Sequence, residues 1–288
     1  METGASNILP KVNFSPSSPN NLLTEKCHLS VEIGLNTFTY CLFDTLTFTY
    51  TLLKKFEFQA KDIKESCEKI TNIKASENLL QKEFYSSSLA FNNFPSTLVP
   101  TPFYKEEKNR EILSFNQEVY EEVLTDKMHQ MDAMNIYSVP TDLLNLINKS
   151  FPNTQIKCNS SILIDQLLLQ NEKTEKTIVY ASIEKNLLEV CVLSENKLEF
   201  HNSFTTDTKE DLLYFLLFSK EQLGLSPEKT ELVLLGDILK SDEKYNLLYE
   251  YVSNISFGKR PENLNFTKEL ESIKSHQYFC LFSQLLCA

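Results

Sequence analysis

Only five of the 288 residues are glycine, Gly4, Gly34, Gly224, Gly236 and Gly258, where average usage of about 7% would supply about twenty. A backbone loop that wraps a phosphate needs glycine twice over, for positive φ and for close approach of main-chain N–H groups to the anion. Neither G-x-G-x-x-G nor G-x-x-x-x-G-K-[ST] can be written anywhere in this chain. A Rossmann or P-loop nucleotide site is therefore excluded.

The chain is long enough for two lobes of ordinary domain size, since single cores stop growing at about 250 to 300 residues. Hydrophobic residues make up 42% and aromatic residues 11%, with twenty Phe and twelve Tyr to fill cores. A formal charge of −11 repels nucleic-acid phosphates and anionic lipid, so neither is an expected partner. The stretch from Met1 to Lys26 lacks the basic start and apolar run of a signal peptide, and no segment approaches the about 18 apolar residues of a membrane span. Seven cysteines form no C-x-x-C pair. Reduced thiols and a cytoplasmic address are the expectation.

Residues 1–27, rich in Asn, Ser and Pro, read as a flexible tail. Leu29–Gly34, Thr37–Phe43 and Leu46–Phe58 then alternate apolar with polar and are dense in Thr, Phe and Tyr, which predicts a three-stranded antiparallel meander. Ile63, Cys67, Ile70 and Ile73 share one helical face. A strand follows near Tyr85–Phe91, and Pro95, Pro100 and Pro102 predict a connecting loop. A helix over Lys105–Leu113, strands at Glu118–Leu124 and Ala133–Val139, a helix capped by Thr141, a strand at Gln155–Cys158 and a helix capped by Ser160 complete this half.

At Thr177 the pattern restarts, with Ile178–Ile183, Leu187–Leu193 and Lys197–Phe204 as a second meander. The next helix carries a capping box, Thr208 with Asp211. A strand at Glu231–Leu235, a helix around Tyr245–Val252, a strand at Asn254–Phe257 and a closing helix near Tyr278–Leu286 follow. Two meander-plus-helix units suggest an internal duplication. The matching words Lys55-Phe56-Glu57-Phe58 and Lys197-Leu198-Glu199-Phe200 point the same way.

A duplicated β-β-β-α-β-α order resembles the actin, sugar kinase and heat-shock ATPase superfamily, and within it the pilus-assembly and secretion proteins of that fold. Val31-Glu32-Ile33-Gly34 stands where that superfamily places its D-x-G hairpin. A narrower resemblance, to an uncharacterised bacterial family of actin-like ATPase fold, is carried by Leu29–Ile33, by Leu98-Val99-Pro100 through Leu113-Ser114-Phe115-Asn116, by Ile136–Pro140 and by His276 to Cys287. The resemblance implies an α/β, duplicated ribonuclease H-like fold. Each lobe would hold a mixed sheet that opens in a meander and is flanked by helices, the first lobe at 28–158 and the second, with the C-terminal helix, at 159–288.

It also implies where a nucleotide would sit. Glu32, Gly34, Asn36 and Thr37 occupy the first phosphate hairpin, Ser182 the second, and Gly236-Asp237 the adenosine turn. Each is altered: Glu32 replaces the usual Asp, and Glu184, Lys185 and Asn186 follow Ser182 where glycine is expected. These are vestigial candidates. No catalytic residue is assigned, no cofactor is expected, and Mg-ATP is what a degenerate cleft could still take. His28, His129, His201 and His276 are scattered without ligand spacing, so no metal is proposed. The leading expectation is a non-catalytic scaffold for an unidentified protein partner, of unassigned oligomeric state. Alternatives are a divergent nucleotide-binding protein, ATPase or kinase, and a binder of an uncharged small molecule.

Overall fold

The computed structural model describes residues 8–16, 22–115, 117–226, 230–261 and 264–287. It separates into two compact units. The first comprises 1–162, 263–272 and 280–288, and the second 163–262 and 273–279. The C-terminal segment read as part of the second lobe thus counts with the first unit. Parts of the expected tail (1–7 and 17–21), Asn116 and Pro227 lie outside the described residues.

The first unit is built on strands β1 (Val12–Phe14), β2 (Cys27–Gly34), β3 (Thr37–Asp44) and β4 (Thr49–Glu57), then helix α1 (Ile63–Ser76) and strand β5 (Ser86–Phe91). After β5 come β6 (Ser96–Pro100), α2 (Asn109–Leu113), β7 (Glu122–Lys127), β8 (Ala133–Val139), α3 (Thr141–Ser150) and β9 (Gln155–Cys158). Helix α4 (Asn159–Gln170) leads into the second unit, which holds β10 (Ile178–Ile183), β11 (Leu187–Ser194), β12 (Lys197–Thr205), α5 (Lys209–Gln222), β13 (Glu231–Gly236), α6 (Glu243–Tyr251) and β14 (Ile255–Phe257). Strand β15 (Asn265–Phe266) and helix α7 (Phe279–Ser283) close the chain.

The main sheet of the first unit runs β1-β4-β3-β2-β5-β9, with β15 also on β4. That of the second runs β12-β11-β10-β13-β14. In both, the meander is antiparallel and the two strands beyond its first member are parallel to it. The duplication is therefore a repeated sheet order. The four-residue wording is not part of it: Lys55–Glu57 ends β4, whereas Lys197–Phe200 begins β12.

Alternation puts Leu29, Val31 and Ile33 of β2 under Ile70 and Ile73 of α1 and Leu143 and Ile147 of α3. In the second unit Val179, Ala181 and Ile183 of β10 pack with Leu212 and Leu216 of α5 and Leu248 of α6. On the opposite face of the first sheet, Tyr50 donates to the Phe282 carbonyl at 2.6 Å and Gln284 Nε2 to the Val31 carbonyl at 2.9 Å. These bonds explain why 280–288 belongs to the first unit.

Four expectations are corrected. The segment read as a loop between Phe94 and Pro102 contains β6, an edge strand on β8 with Pro100 as its last residue, a place where a missing N–H leaves the ladder intact. Within the expected tail, β1 pairs with β4. The helix expected over Lys105–Leu113 begins as a 3₁₀ turn at Glu106–Lys108 and is α-helical only at Asn109–Leu113. Thr141 lies inside α3 and does not cap it; its hydroxyl donates instead to Glu122 Oε1 at 2.8 Å. Among the described residues no helix is long and apolar enough to cross a membrane.

Candidate functional site

Each place that the resemblance marks is a turn at the end of a central strand. Gly34 ends β2 opposite Thr37, leaving Leu35 and Asn36 as a two-residue hairpin tip. A Cβ at position 34 would lie 2.7 Å from Thr37 Oγ1, so any side chain there would force the Thr37 hydroxyl to move. The tip is tied down from behind. Ser66 Oγ of α1 donates to the Leu35 carbonyl at 2.8 Å, Ala60 N–H to Asn36 Oδ1 at 3.0 Å and Phe58 N–H to the Asn36 carbonyl at 3.0 Å. Glu32 accepts from Asn92 Nδ2 at 3.1 Å. Asn92 and the left-handed Asn93 (φ 62°) follow β5, and sequence pattern alone did not single them out.

In the second unit the matching hairpin follows β10. Ser182 lies opposite Glu189 of β11, whose carboxylate is 2.7 Å from His201 Nε2 of β12. This buried pair was not foreseen, because the residues are twelve apart and meet only through strand register. At the tip Glu184 and Lys185 have side chains where a phosphate loop needs bare backbone, and Lys244 Nζ donates to the Lys185 carbonyl at 3.1 Å. The hairpin presents carbonyls to an ammonium, the reverse of an anion cradle.

Gly236 ends β13 with φ +86°. A Cβ there would meet the Ile183 carbonyl oxygen at 2.3 Å. Its N–H donates to the His276 carbonyl at 2.9 Å, and the next N–H, of Asp237, donates to the Ile183 carbonyl at 2.7 Å. His276 Nε2 in turn donates to the Ile238 carbonyl at 2.7 Å, and burial holds its pKa below the usual imidazole value. Both amides of this turn are committed to protein carbonyls. Of the predicted residues, Glu32, Gly34, Asn36 and Thr37 lie together in one hairpin of the first unit; Ser182, Gly236 and Asp237 gather at the ends of β10 and β13 in the second.

Two further features are visible only in three dimensions. Asp126 of β7 is buried and accepts from Cys158 N–H and Ser161 Oγ, both at 2.7 Å, and burial raises its pKa above the ordinary carboxylate value. Asn135 Nδ2 reaches Ser161 Oγ at 2.8 Å, completing a polar network that fixes the start of α4. A pocket of about 350 Å³ on the second sheet is lined by Leu167, Tyr180, Glu231, Val233 and Phe257 among others. Within it Ser256 Oγ donates to Glu231 at 2.7 Å, and the Tyr180 hydroxyl donates to Asn171, outside the lining, at 3.1 Å.

Residues 17–255 match the family model described as protein of unknown function, DUF3822. The chain belongs to that family. No curated protein matches it in sequence. Among solved structures, this DUF3822 chain is similar to a Bacteroides thetaiotaomicron protein with actin-like ATPase fold and unknown function. The TM-score is 0.77 at 16% identity, covering 92% of this chain and 97% of that one. It is also similar to a chain of the PilM-PilN type IV pilus biogenesis complex, with TM-score 0.63 at 13% identity, covering 90% and 98%. A third likeness is to the cytoplasmic domain of EpsL of the Vibrio cholerae type II secretion system, with TM-score 0.48 at 11% identity, covering 91% and 95%. The DUF3822 chain therefore has the actin-like ATPase fold, as its repeated sheet order indicated.

Proposed function

We propose that this protein is a non-catalytic actin-like scaffold that binds another protein in the cytoplasm. The observation that carries the reading is the turn at Gly236: its N–H and that of Asp237 are spent on the His276 and Ile183 carbonyls, and a nucleotide would have to displace both. The hairpin after Ser182 supports it, since Lys244 occupies the carbonyl side of its tip and Glu189 sets a carboxylate beside the strand. The PilM neighbour, a protein of this fold, was solved as part of a PilM-PilN complex, which supports a protein-binding role here. The absence of disulfides at Cys27, Cys41, Cys67, Cys158, Cys191 and Cys280 accords with the cytoplasmic address.

A thermal-shift series with Mg-ATP, Mg-ADP and Mg-GTP tests it. A nucleotide at about a hundred times its dissociation constant adds about 2.7 kcal/mol, which moves the midpoint by several degrees. The expected result is no shift; a saturable shift that disappears when Gly236 or Gly34 is replaced overturns the proposal.

A further inference from the structure

The duplicated sheets differ at one edge. Register aligns the units: Gly34 corresponds to Glu184 at the hairpin tips, Glu57 opposite Thr37 to Thr205 opposite Leu187, and so Leu53–Lys55 of β4 to His201–Ser203 of β12. In the first unit this stretch is covered, because β1 lies antiparallel on it with Val12 opposite Lys55 and Phe14 opposite Leu53. Among the described residues of the second unit nothing pairs with the outer side of β12.

The open backbone groups can be named. Thr206 N–H donates to the Asn186 carbonyl, so in the antiparallel alternation Thr205, Ser203 and His201 turn their N–H and C=O away from β11. The Lys55 carbonyl, counterpart of that of Ser203, points the same way and accepts from Lys11 N–H at 2.8 Å. Ser203 N–H has no strand partner and is taken by the side chain of its own neighbour, Asn202 Oδ1, at 2.9 Å. The first half of β12 is guarded by a bulge and by exposed Lys197 and Glu199. The half at 201–205 is not.

An aromatic row begins on this edge strand and continues along α5. Phe204 stacks on Phe215 at 4.6 Å, Tyr214 contacts Phe215 at 5.3 Å, and Tyr214 stacks on Phe218 at 5.8 Å. Tyr214 and Phe218 are 60% and 43% exposed. The exposed charges around the edge are mainly acidic, Glu195, Glu199, Asp207 and Glu210 against Lys185 and Lys197, since Lys209 is paired with Glu243 at 2.9 Å.

We propose that the outer edge of β12 at His201–Thr205 is a docking edge for an extended segment of a partner protein, added antiparallel as a sixth strand, with alternating apolar residues and a basic flank. The chain supplies its own example of such an occupant: Lys11-Val12-Asn13-Phe14 covers the equivalent edge, and Lys11 Nζ bonds Glu57 at 2.8 Å. Backbone pairing would give affinity, the aromatic row would receive the apolar side chains, and the acidic rim would select basic flanks. A second copy of this chain, with its net charge of −11, is the disfavoured occupant. The proposal deepens the scaffold reading and rests on it.

The test uses the full chain and a fluorescent synthetic octapeptide, Lys-Val-Asn-Phe repeated twice, with a glutamate-for-lysine version and a version N-methylated on alternate amides. The expected results are saturable anisotropy, at least tenfold slower amide exchange confined to 201–205, and loss of at least tenfold in affinity with either control peptide. Ser203→Pro removes an outward donor without touching the ladder and is expected to weaken binding at least tenfold; Asn202→Ala frees the donor and is expected to strengthen it. The N-methylated peptide gives the same answer on unmutated protein if Ser203→Pro unfolds it. Absence of binding at millimolar peptide, or binding indifferent to N-methylation, overturns the proposal. So does self-association of the chain that Ser203→Pro abolishes, which would make a second copy the occupant. The nucleotide series fails or sustains the scaffold reading independently: a saturable nucleotide shift lost on replacing Gly236 or Gly34 sinks that reading, whereas a missing peptide complex sinks only the edge.

Discussion

The N–H of Gly236 and the carbonyl of His276 are joined at 2.9 Å, at a residue whose φ of +86° and whose 2.3 Å clearance from the Ile183 oxygen leave no room for a Cβ. Gly236→Ala must both adopt a left-handed backbone and push against main chain, so a loss of at least about 2 kcal/mol is expected. Urea denaturation should show a lower midpoint with unchanged slope. The Mg-ATP response should be as absent in the variant as in the parent, which separates a structural glycine from a nucleotide-binding one.

Asp126 is the hub of the network at the start of α4. Asp126→Ala strands Cys158 N–H, the Ser161 hydroxyl and the Tyr137 hydroxyl in a buried site, at a cost of about 3 to 6 kcal/mol for three unsatisfied groups. Asp126→Asn keeps an acceptor oxygen and removes a carboxyl whose charge burial disfavours, so its cost is expected to be less than half as large. Paired chemical denaturation curves at pH 7 decide between these outcomes. Equal losses in the two variants would show that the charge itself holds the site.

Thr208 shows what was legible in the sequence. Its hydroxyl accepts from Asp211 N–H at 3.1 Å, and Asp211 returns a bond to Thr208 N–H at 2.9 Å. Both partners lie within one turn, so spacing alone revealed them; Thr208→Ala should cost about 1 kcal/mol in thermal or urea unfolding. The meanders were legible for the same reason, since period-two alternation is local. Strand β6 was not, because its pairing with β8 depends on residues almost forty positions away and an edge tolerates the prolines that local rules penalise. The Glu189–His201 pair, the bonds that commit the Gly236 amides and the bare edge of β12 are likewise matters of register. Glycine scarcity pointed to turns with little bare backbone; only the fold shows which carbonyls accept from the Gly236 and Asp237 amides.

His28 offers the clearest pH signature. It is buried on β2, with its ring nitrogens 2.8 Å from Ser86 Oγ and 2.9 Å from Ser88 Oγ, and burial lowers its pKa from 6.5 to about 4. A base whose folded pKa lies below its unfolded value binds fewer protons when folded, so its contribution to stability is present above pH 6.5 and is lost as pH falls toward 4. Between pH 7 and pH 5 the loss amounts to about 2 kcal/mol. His28→Gln retains a donor and an acceptor for the two serines and cannot titrate, so the stability difference between parent and variant, measured by urea unfolding, should shrink by about that amount over the interval. Carboxylates that also titrate there are common to both proteins and cancel in the difference. A constant difference from pH 7 to pH 5 would mean that His28 is protonated as readily in the fold as out of it.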